Sequence, residues 1–347
     1  MKKNNNSIQP NEISAETKAS MKTRIISAIV GIVIAVPLIF LGDYFFFALV
    51  VFFLVVGTYE IIHCAKRRYN PALYIVAIIL ALLMTLWPLI RSMPAFYQTI
   101  KAGGSAADFR IFDYFTELNI SISIFALGVF GLFTMVLVDK GFTVRDACYI
   151  FTMMIVVTLG LQSALYMRYL PSHVYHMQDG SYTSYFNWYD NLESCLLIVY
   201  GLLGTFMTDA GAYFVGVFFG RHKMNERISP KKTWEGFVGG VVISSVFSFG
   251  FAMLFCALKH PLIIGILDLE HWYLILFLSL LIPIVSTLGD FVFSSVKRYF
   301  EIKDFGNLIP GHGGVLDRLD SVMFSFITMG VFLSLIQYWS QFTNAAI

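Results

Sequence analysis

Residues 294–320 read SSVKRYFEIKDFGNLIPGHGGVLDRLD, a crowding of charges, glycines and a proline in a chain otherwise made of long apolar runs. The flanks of this stretch decide the fold. Trp272–Val296 leads into it and Leu316–Trp339 leads out, and each is apolar over the roughly 20 residues that a helix needs to cross bilayer hydrocarbon. Hydrocarbon offers no partners to backbone polar groups, so a segment of this kind bonds to itself as a helix. A dense polar cluster between two spans points to chemistry beside a membrane.

Working outward, the rest of the chain has the same character. Of its 347 residues 57% are hydrophobic and only 13% charged, and the mean hydropathy is +0.72. Such a composition excludes an ordinary soluble domain. Seven further segments qualify as spans: Ile25–Leu41, Tyr44–Ile62, Ala72–Ile90, Asn119–Val138, Cys148–Met167, Cys195–Val217 and Phe237–Ala257. The expected fold is therefore an all-α, polytopic integral membrane protein of about nine transmembrane helices. The first span reads as retained rather than as a cleaved signal, because the residues before it are polar and contain no short apolar stretch ending in a small-residue cleavage site.

Lys and Arg mark loops held on the cytoplasmic side. With the amino terminus cytoplasmic, nineteen of the 24 basic residues fall inside, which places the carboxyl terminus outside and both motif-rich loops in the cytoplasm. Three regions follow: a flexible cytoplasmic tail over 1–24, an amino-terminal transmembrane region of about five helices over 25–190, and a carboxyl-terminal catalytic region of about four helices over 191–347. Long external loops are expected over Met93–Leu118 and Tyr169–Asn191.

Several classes are excluded or weakened. The net charge of +2 reflects topology, and nothing implies a nucleic-acid partner. Cys64, Cys148, Cys195 and Cys256 lie in or beside spans without the spacing of a zinc site or disulfide framework, and read as packing residues. His173 and His176 have metal-compatible spacing but no acidic or Cys pair nearby, so they read as ordinary surface. No internal repeat is evident, which weakens an inverted-repeat transporter. A homodimer is compatible with the sequence.

Chemistry concentrates in three places. Asp209 sits inside the sixth span, in GTFMTDAGAYFVG, where an acid is costly unless it faces a cavity, a cation or a partner. The alternative is tight packing around a helix-end acid, with Gly204, Gly211 and Gly216 allowing close approach. Next, in GRHKMNERISPKKTWEG, Ser229 and Pro230 can begin a helix whose free N–H groups, with Lys231 and Lys232, suit a phosphate. The plainer reading is cations anchoring the loop at anionic headgroups.

The third place is the strongest. Asp290 lies deep in the eighth span, and Ser294 and Arg298 follow at steps of four on one helical face, a rise of about 12 Å from membrane depth to Lys297 and Arg298 near the headgroups. After Lys303 and Asp304, the glycines of LIPGHGG let backbone approach a ligand closely. Asp317 and Asp320 share a face of the last span. With Asp290 they supply oxygen ligands for Mg²⁺, which takes one or two carboxylates and completes its shell with waters and phosphates. Arg318 can pair with phosphate or with one of these acids. An interhelical ion-pair network accounts for any one of these residues more easily than for all of them.

At this point the residues resemble a known family. Ser294, Lys297, Arg298, Lys303, Asp304, Gly306, Ile309, Pro310, His312, Gly313, Gly314, Asp317, Arg318 and Asp320 stand at the spacing of the phosphatidate cytidylyltransferase signature, with no departure at its fixed positions. DAGAYFVG, SPKKTWEG and the Gly289–Asp290 pair are also similar to that family, so the specific likeness runs over about 205–321. The amino-terminal spans match in hydropathy alone. The resemblance implies transfer of CMP from CTP to phosphatidate, giving CDP-diacylglycerol and pyrophosphate, with Mg²⁺ required and a second cation allowed. It assigns Asp290, Asp317 and Asp320 to metal and leaves Asp209 as a further site acid. Lys231, Lys232, Lys297, Arg298, Lys303 and Arg318 become phosphate contacts, with Asp304 in the catalytic set and Ser229 and Ser294 on the substrate side. His312, with Gly313 and Gly314, shapes the nucleotide side. The layout implies a bacterial cytoplasmic membrane with the site open to the cytoplasm. A CTP-using polyprenol kinase and a transporter are the rival classes.

Overall fold

In the computed structural model of the chain, residues 15–90, 122–179 and 188–344 are described. Among these residues are the helices and hairpin that follow: α1 Ala15–Leu41, α2 Asp43–His63, α3 Pro71–Thr85, α4 Ile122–Val138, α5 Val144–Asp179, α6 Trp188–Phe219, β1 Lys223–Asn225, β2 Ser229–Thr233, α7 Trp234–Ala257, α8 Trp272–Tyr299 and α9 Leu316–Asn344. Each predicted span lies mainly on one of these helices; the third, expected to reach Ile90, leaves α3 at Thr85 with Leu86 as its C-cap, and the fourth is described from Ile122. Six carry stretches long and apolar enough to cross a membrane, while the apolar parts of α1, α3 and α4 are shorter. The protein is thus a predominantly helical, polytopic membrane protein. Its exposed apolar side chains, such as Ile32, Phe130, Val217 and Val246, form the surface that lipid tails cover.

Three further boundaries differ from expectation. Helix α1 begins at Ala15, inside the predicted tail, because the AETKASMKTR segment has no Gly or Pro and is rich in good helix formers that extend the apolar helix. The predicted outer loop from Tyr169 is helical as far as Asp179, taking in His173 and His176; Met93–Leu118 lies outside the described residues. The third difference bears on the site. Ser229–Thr233 is a strand, paired antiparallel with β1 in the register Lys223↔Thr233 and Asn225↔Ser229, so Pro230 does not open a helix and the fold is not purely α. Thr233 supplies the stronger helix start: its Oγ1 accepts the Gly236 N–H at 3.2 Å, an N-cap on α7. Pro230 is tolerated because a two-stranded hairpin consists only of edges.

The core is one contiguous cluster that draws on both sides of the predicted 190/191 boundary, from Ile39 and Leu54 to Met323 and Leu333. Helices α6 and α7 make the most extensive contact. A Cβ on Gly240 would lie 2.8 Å from the Thr208 carbonyl and one on Gly236 2.7 Å from the Ala212 carbonyl, so these glycines let backbone meet backbone. Hydroxyls join the helices where apolar packing gives no direction: Thr205 to Ser325 at 2.9 Å and Ser244 to the Gly204 carbonyl at 2.6 Å. Pro283 interrupts α8 and has no N–H for the carbonyl one turn earlier, that of Ser279. Ser245 on α7 donates to that carbonyl at 2.9 Å instead.

Candidate active site

The site is assembled where α6, α8, α9 and the hairpin meet at one end of the bundle. Asp290 and Ser294 lie one turn apart on α8, and the Ser294 hydroxyl donates to Asp290 Oδ1 at 3.1 Å. Lys232 reaches from β2 to form an ion pair with Asp290 Oδ2, its ammonium also 4.5 Å from the Phe291 ring centre. One more turn along α8, Arg298 Nε donates to the Ile228 carbonyl at 3.3 Å, fastening the hairpin to the helix. The expected face of Asp290, Ser294 and Arg298 is therefore real, but part of it serves to hold the strand that delivers Lys232.

Lys297 points toward α9. Its Nζ is 3.0 Å from Asp317 Oδ1 and 3.8 Å from Asp320 Oδ2, and it is largely buried, with 11% of the side chain exposed. Gly289, next to Asp290, makes this approach possible, since a Cβ there would fall 2.9 Å from Phe324 of α9. Asp209 on α6 lies within electrostatic range of Asp290, Lys232 and Arg318, and Asp320 within range of Asp290, Lys297 and Asp209. Three helices and a strand thus bring Asp209, Asp290 and Asp320 together with Lys232 and Lys297.

Between α8 and α9 the chain makes a tight turn. The Ile309 N–H donates to the Gly313 carbonyl at 2.9 Å, and the His312 and Gly313 N–H groups return to the Ile309 carbonyl. Gly311 and Gly313 have φ of 75° and 90°, which L side chains adopt only with strain. Phe305 anchors the approach to this turn by packing against Phe293. Asp317 Oδ2 accepts the Phe305 N–H at 2.7 Å and the Gly314 N–H at 3.0 Å. Arg318 donates to the His312 carbonyl, and the His312 ring is 2.7 Å from Ser27 Oγ of α1. Ser229 is half-buried at the start of β2, whereas Lys231, Lys303 and Asp304 are exposed.

The acids and cations are arranged as ion pairs rather than as a cage. Among the described residues no three acidic, His or Cys side chains converge tightly enough to form a ready-made metal site. Asp290 and Asp317 have both oxygens engaged by protein donors, while Asp320 Oδ2 has only the longer Lys297 contact. An all-carboxylate donor set suits a hard divalent cation, and the cations now facing these acids are lysine ammoniums on flexible stems. The residues fit Mg²⁺ by donor chemistry and not by a preformed geometry.

One residue escaped the sequence reading. Glu60, on α2, is 3% exposed, and its carboxylate accepts the Val315 N–H at 2.9 Å and the Leu316 N–H at 2.8 Å. An acid inside an apolar segment was the signal that singled out Asp209 and Asp290, and Glu60 carries the same signal. Lying so near a span end, it passes for a side chain reaching to the interface. Beside it a cavity of about 650 Å³ opens between α2 and the turn, lined by Tyr59, Glu60, His63, Lys66, Asp304 and Asn307 among others.

Residues 22–336 match the model of the cytidylyltransferase family. The chain is 30% identical over 306 residues to the phosphatidate cytidylyltransferase of Bacillus subtilis (strain 168), covering 88% of this chain and 94% of that protein. It is 38% identical over 144 residues to the protein of the same name from Staphylococcus saprophyticus and 39% identical over 143 residues to that of Staphylococcus aureus (strain COL). These two alignments cover 41% of this chain and half of each relative. A match across nearly the whole length, with the signature residues gathered at one end of a membrane bundle, makes this chain a member of the cytidylyltransferase family.

Proposed function

We propose that the protein is a CTP:phosphatidate cytidylyltransferase, transferring CMP from CTP to phosphatidate to give CDP-diacylglycerol and pyrophosphate. The observation that carries this reading is the convergence of Lys232 and Lys297 with Asp209, Asp290 and Asp320 at one end of a membrane bundle, in a chain of this family. Two polyanions must meet at one phosphorus. Cations that cancel their repulsion, and that are already oriented toward charge developing on the leaving pyrophosphate, are the main catalytic requirement.

In this reading a phosphatidate oxygen attacks the α-phosphorus of CTP in line with the departing pyrophosphate. The attacking group needs no strong general base, because its second pKa is about 6. Lys232 and Lys297 exchange their carboxylate contacts for phosphate oxygens as substrate enters. Arg298, Arg318, Lys231 and Lys303 hold the outer phosphates. The Gly311–Gly314 turn, braced through His312, shapes the nucleotide side, and Ser229 and Ser294 contact substrate. Asp290, Asp317 and Asp320 would hold Mg²⁺, which when bound supplies Lewis-acid stabilisation of the triphosphate; Asp209 adds negative charge behind them. The basic-residue asymmetry supports nine spans with the amino terminus and the site in the cytoplasm of a bacterium. One copy of the chain supplies every residue that this reading uses.

The test is product formation by purified protein with phosphatidate, Mg²⁺ and CTP labelled in the cytidine ring. Label is expected in the lipid fraction, released with pyrophosphate, lost with EDTA and restored by Mg²⁺. Label that enters lipid only from the γ-phosphate of CTP would instead identify a kinase. Turnover insensitive to EDTA would remove the metal assignment.

A further inference from the structure

Glu60 belongs to α2, in the half of the chain that carries none of the family signature, yet its carboxylate is buried against the signature itself. Its two oxygens take the amides of Val315 and Leu316 at 2.9 and 2.8 Å. These donors stand at the start of α9, where no carbonyl one turn earlier exists to receive them and where negative charge is favoured by the helix dipole. Asp317 follows immediately and Asp320 one turn later. From the other side Asp317 Oδ2 takes the amides of Phe305 and Gly314. Two carboxylates therefore fix four backbone donors around the turn.

The signature glycines record the same contact. A Cβ on Gly306 would lie 2.5 Å from Glu60 Oε1, and one on Gly314 2.4 Å from it. Gly306 does not adopt the left-handed conformation that would itself call for glycine. Its missing side chain is the space that Glu60 occupies. A buried carboxylate is costly unless charge-assisted hydrogen bonds compensate it, and here they all come from the segment that aims Asp317 and Asp320.

On the reading of this site as a cytidylyltransferase centre, we infer that Glu60 is a positioning residue for the reaction: by clamping the Val315 and Leu316 amides against Gly306 and Gly314, it sets where Asp317 and Asp320 stand relative to α8. Glu60→Gln keeps the shape but turns an NH₂ group toward one of the two amides. In protein of unchanged helix content and elution volume, kcat is expected to fall about tenfold or more, with KM for CTP changed by less than about threefold. A structural role alone would lower the yield of folded protein and leave kcat per folded molecule intact.

A second arm reads the contact from the opposite side. Gly306→Ala should lower kcat markedly in the wild-type background and by less than about twofold in a Glu60→Ala background, because the clash is with Glu60. This arm stands even where Glu60→Gln fails to fold, since Gly306→Ala alone must then cost activity. Wild-type kcat in Glu60→Gln or in Gly306→Ala, or losses from Gly306→Ala and Glu60→Ala that simply multiply, would overturn the inference. Wild-type protein that puts no cytidine on lipid in the same assay would instead remove the reading of the site on which it rests.

Discussion

Four acids around the site fall into two groups that differ in what they face. Glu60 and Asp317 are turned toward backbone: their oxygens accept amide N–H groups of the α8–α9 connection, donors that cannot leave without unfolding the turn. Asp290 and Asp320 are turned toward lysine ammoniums on long side chains, partners that can swing away and be replaced. On the proposed function, this separates charge that serves structure from charge that serves chemistry. Acids that hold backbone set geometry, while acids that hold mobile cations can exchange partners during a reaction. Asp317 and Asp320 stand in both groups: Lys297 also contacts Asp317, and Asp320 Oδ1 accepts the Ser321 N–H at 2.7 Å.

Asp290 tests this division most directly. Asp290→Asn should reduce turnover by about 10³-fold while the melting temperature stays near wild type, because Lys232 is partly exposed and remains within range of Asp209. Cytidine transfer to lipid and a thermal melt in detergent measure the two quantities; a protein that lost both together would put Asp290 among the structural acids. Asp317→Asn should lose stability as well as activity. Its side chain is only 3% exposed, and breaking a buried pair with Lys297 costs about 3 kcal/mol, readable as a lowered unfolding midpoint. An unchanged midpoint would assign Asp317 wholly to chemistry. The smallest effect is expected at Thr233, whose cap on α7 touches neither group. Thr233→Ala should cost about 1 kcal/mol of stability and leave kcat per folded molecule nearly unaltered, and a large fall in kcat would show that the hairpin's anchoring of Lys232 depends on that cap.

Much of the site was legible because membranes make charge conspicuous. Asp209 and Asp290 stood out as acids within apolar runs, and the structure brings them within electrostatic range of each other. The steps of four from Asp290 to Arg298 gave the correct face of α8. Partners between elements were not legible. Ser229–Pro230 carries the signals of a helix start, and nothing local shows that cross-strand pairing with Lys223–Asn225 and the Thr233 cap prevail. Glu60 was passed over because its partners lie far along the chain and are main-chain amides, which every residue but proline possesses. Likewise, the spans were readable from apolar length, but the start of α1 was not, since polar helix formers extend an apolar helix without changing the hydropathy signal.

The bond from Ser245 to the Ser279 carbonyl ties the mutational fates of two distant positions. Replacing Pro283 by a residue with an N–H would return that carbonyl to its own helix and release Ser245 to become Ala. Making the Ser245 change first would strand a bare carbonyl inside the bundle. The order in which such substitutions can accumulate is therefore constrained, and a lineage that lost the proline would be free to lose the serine, but not the reverse.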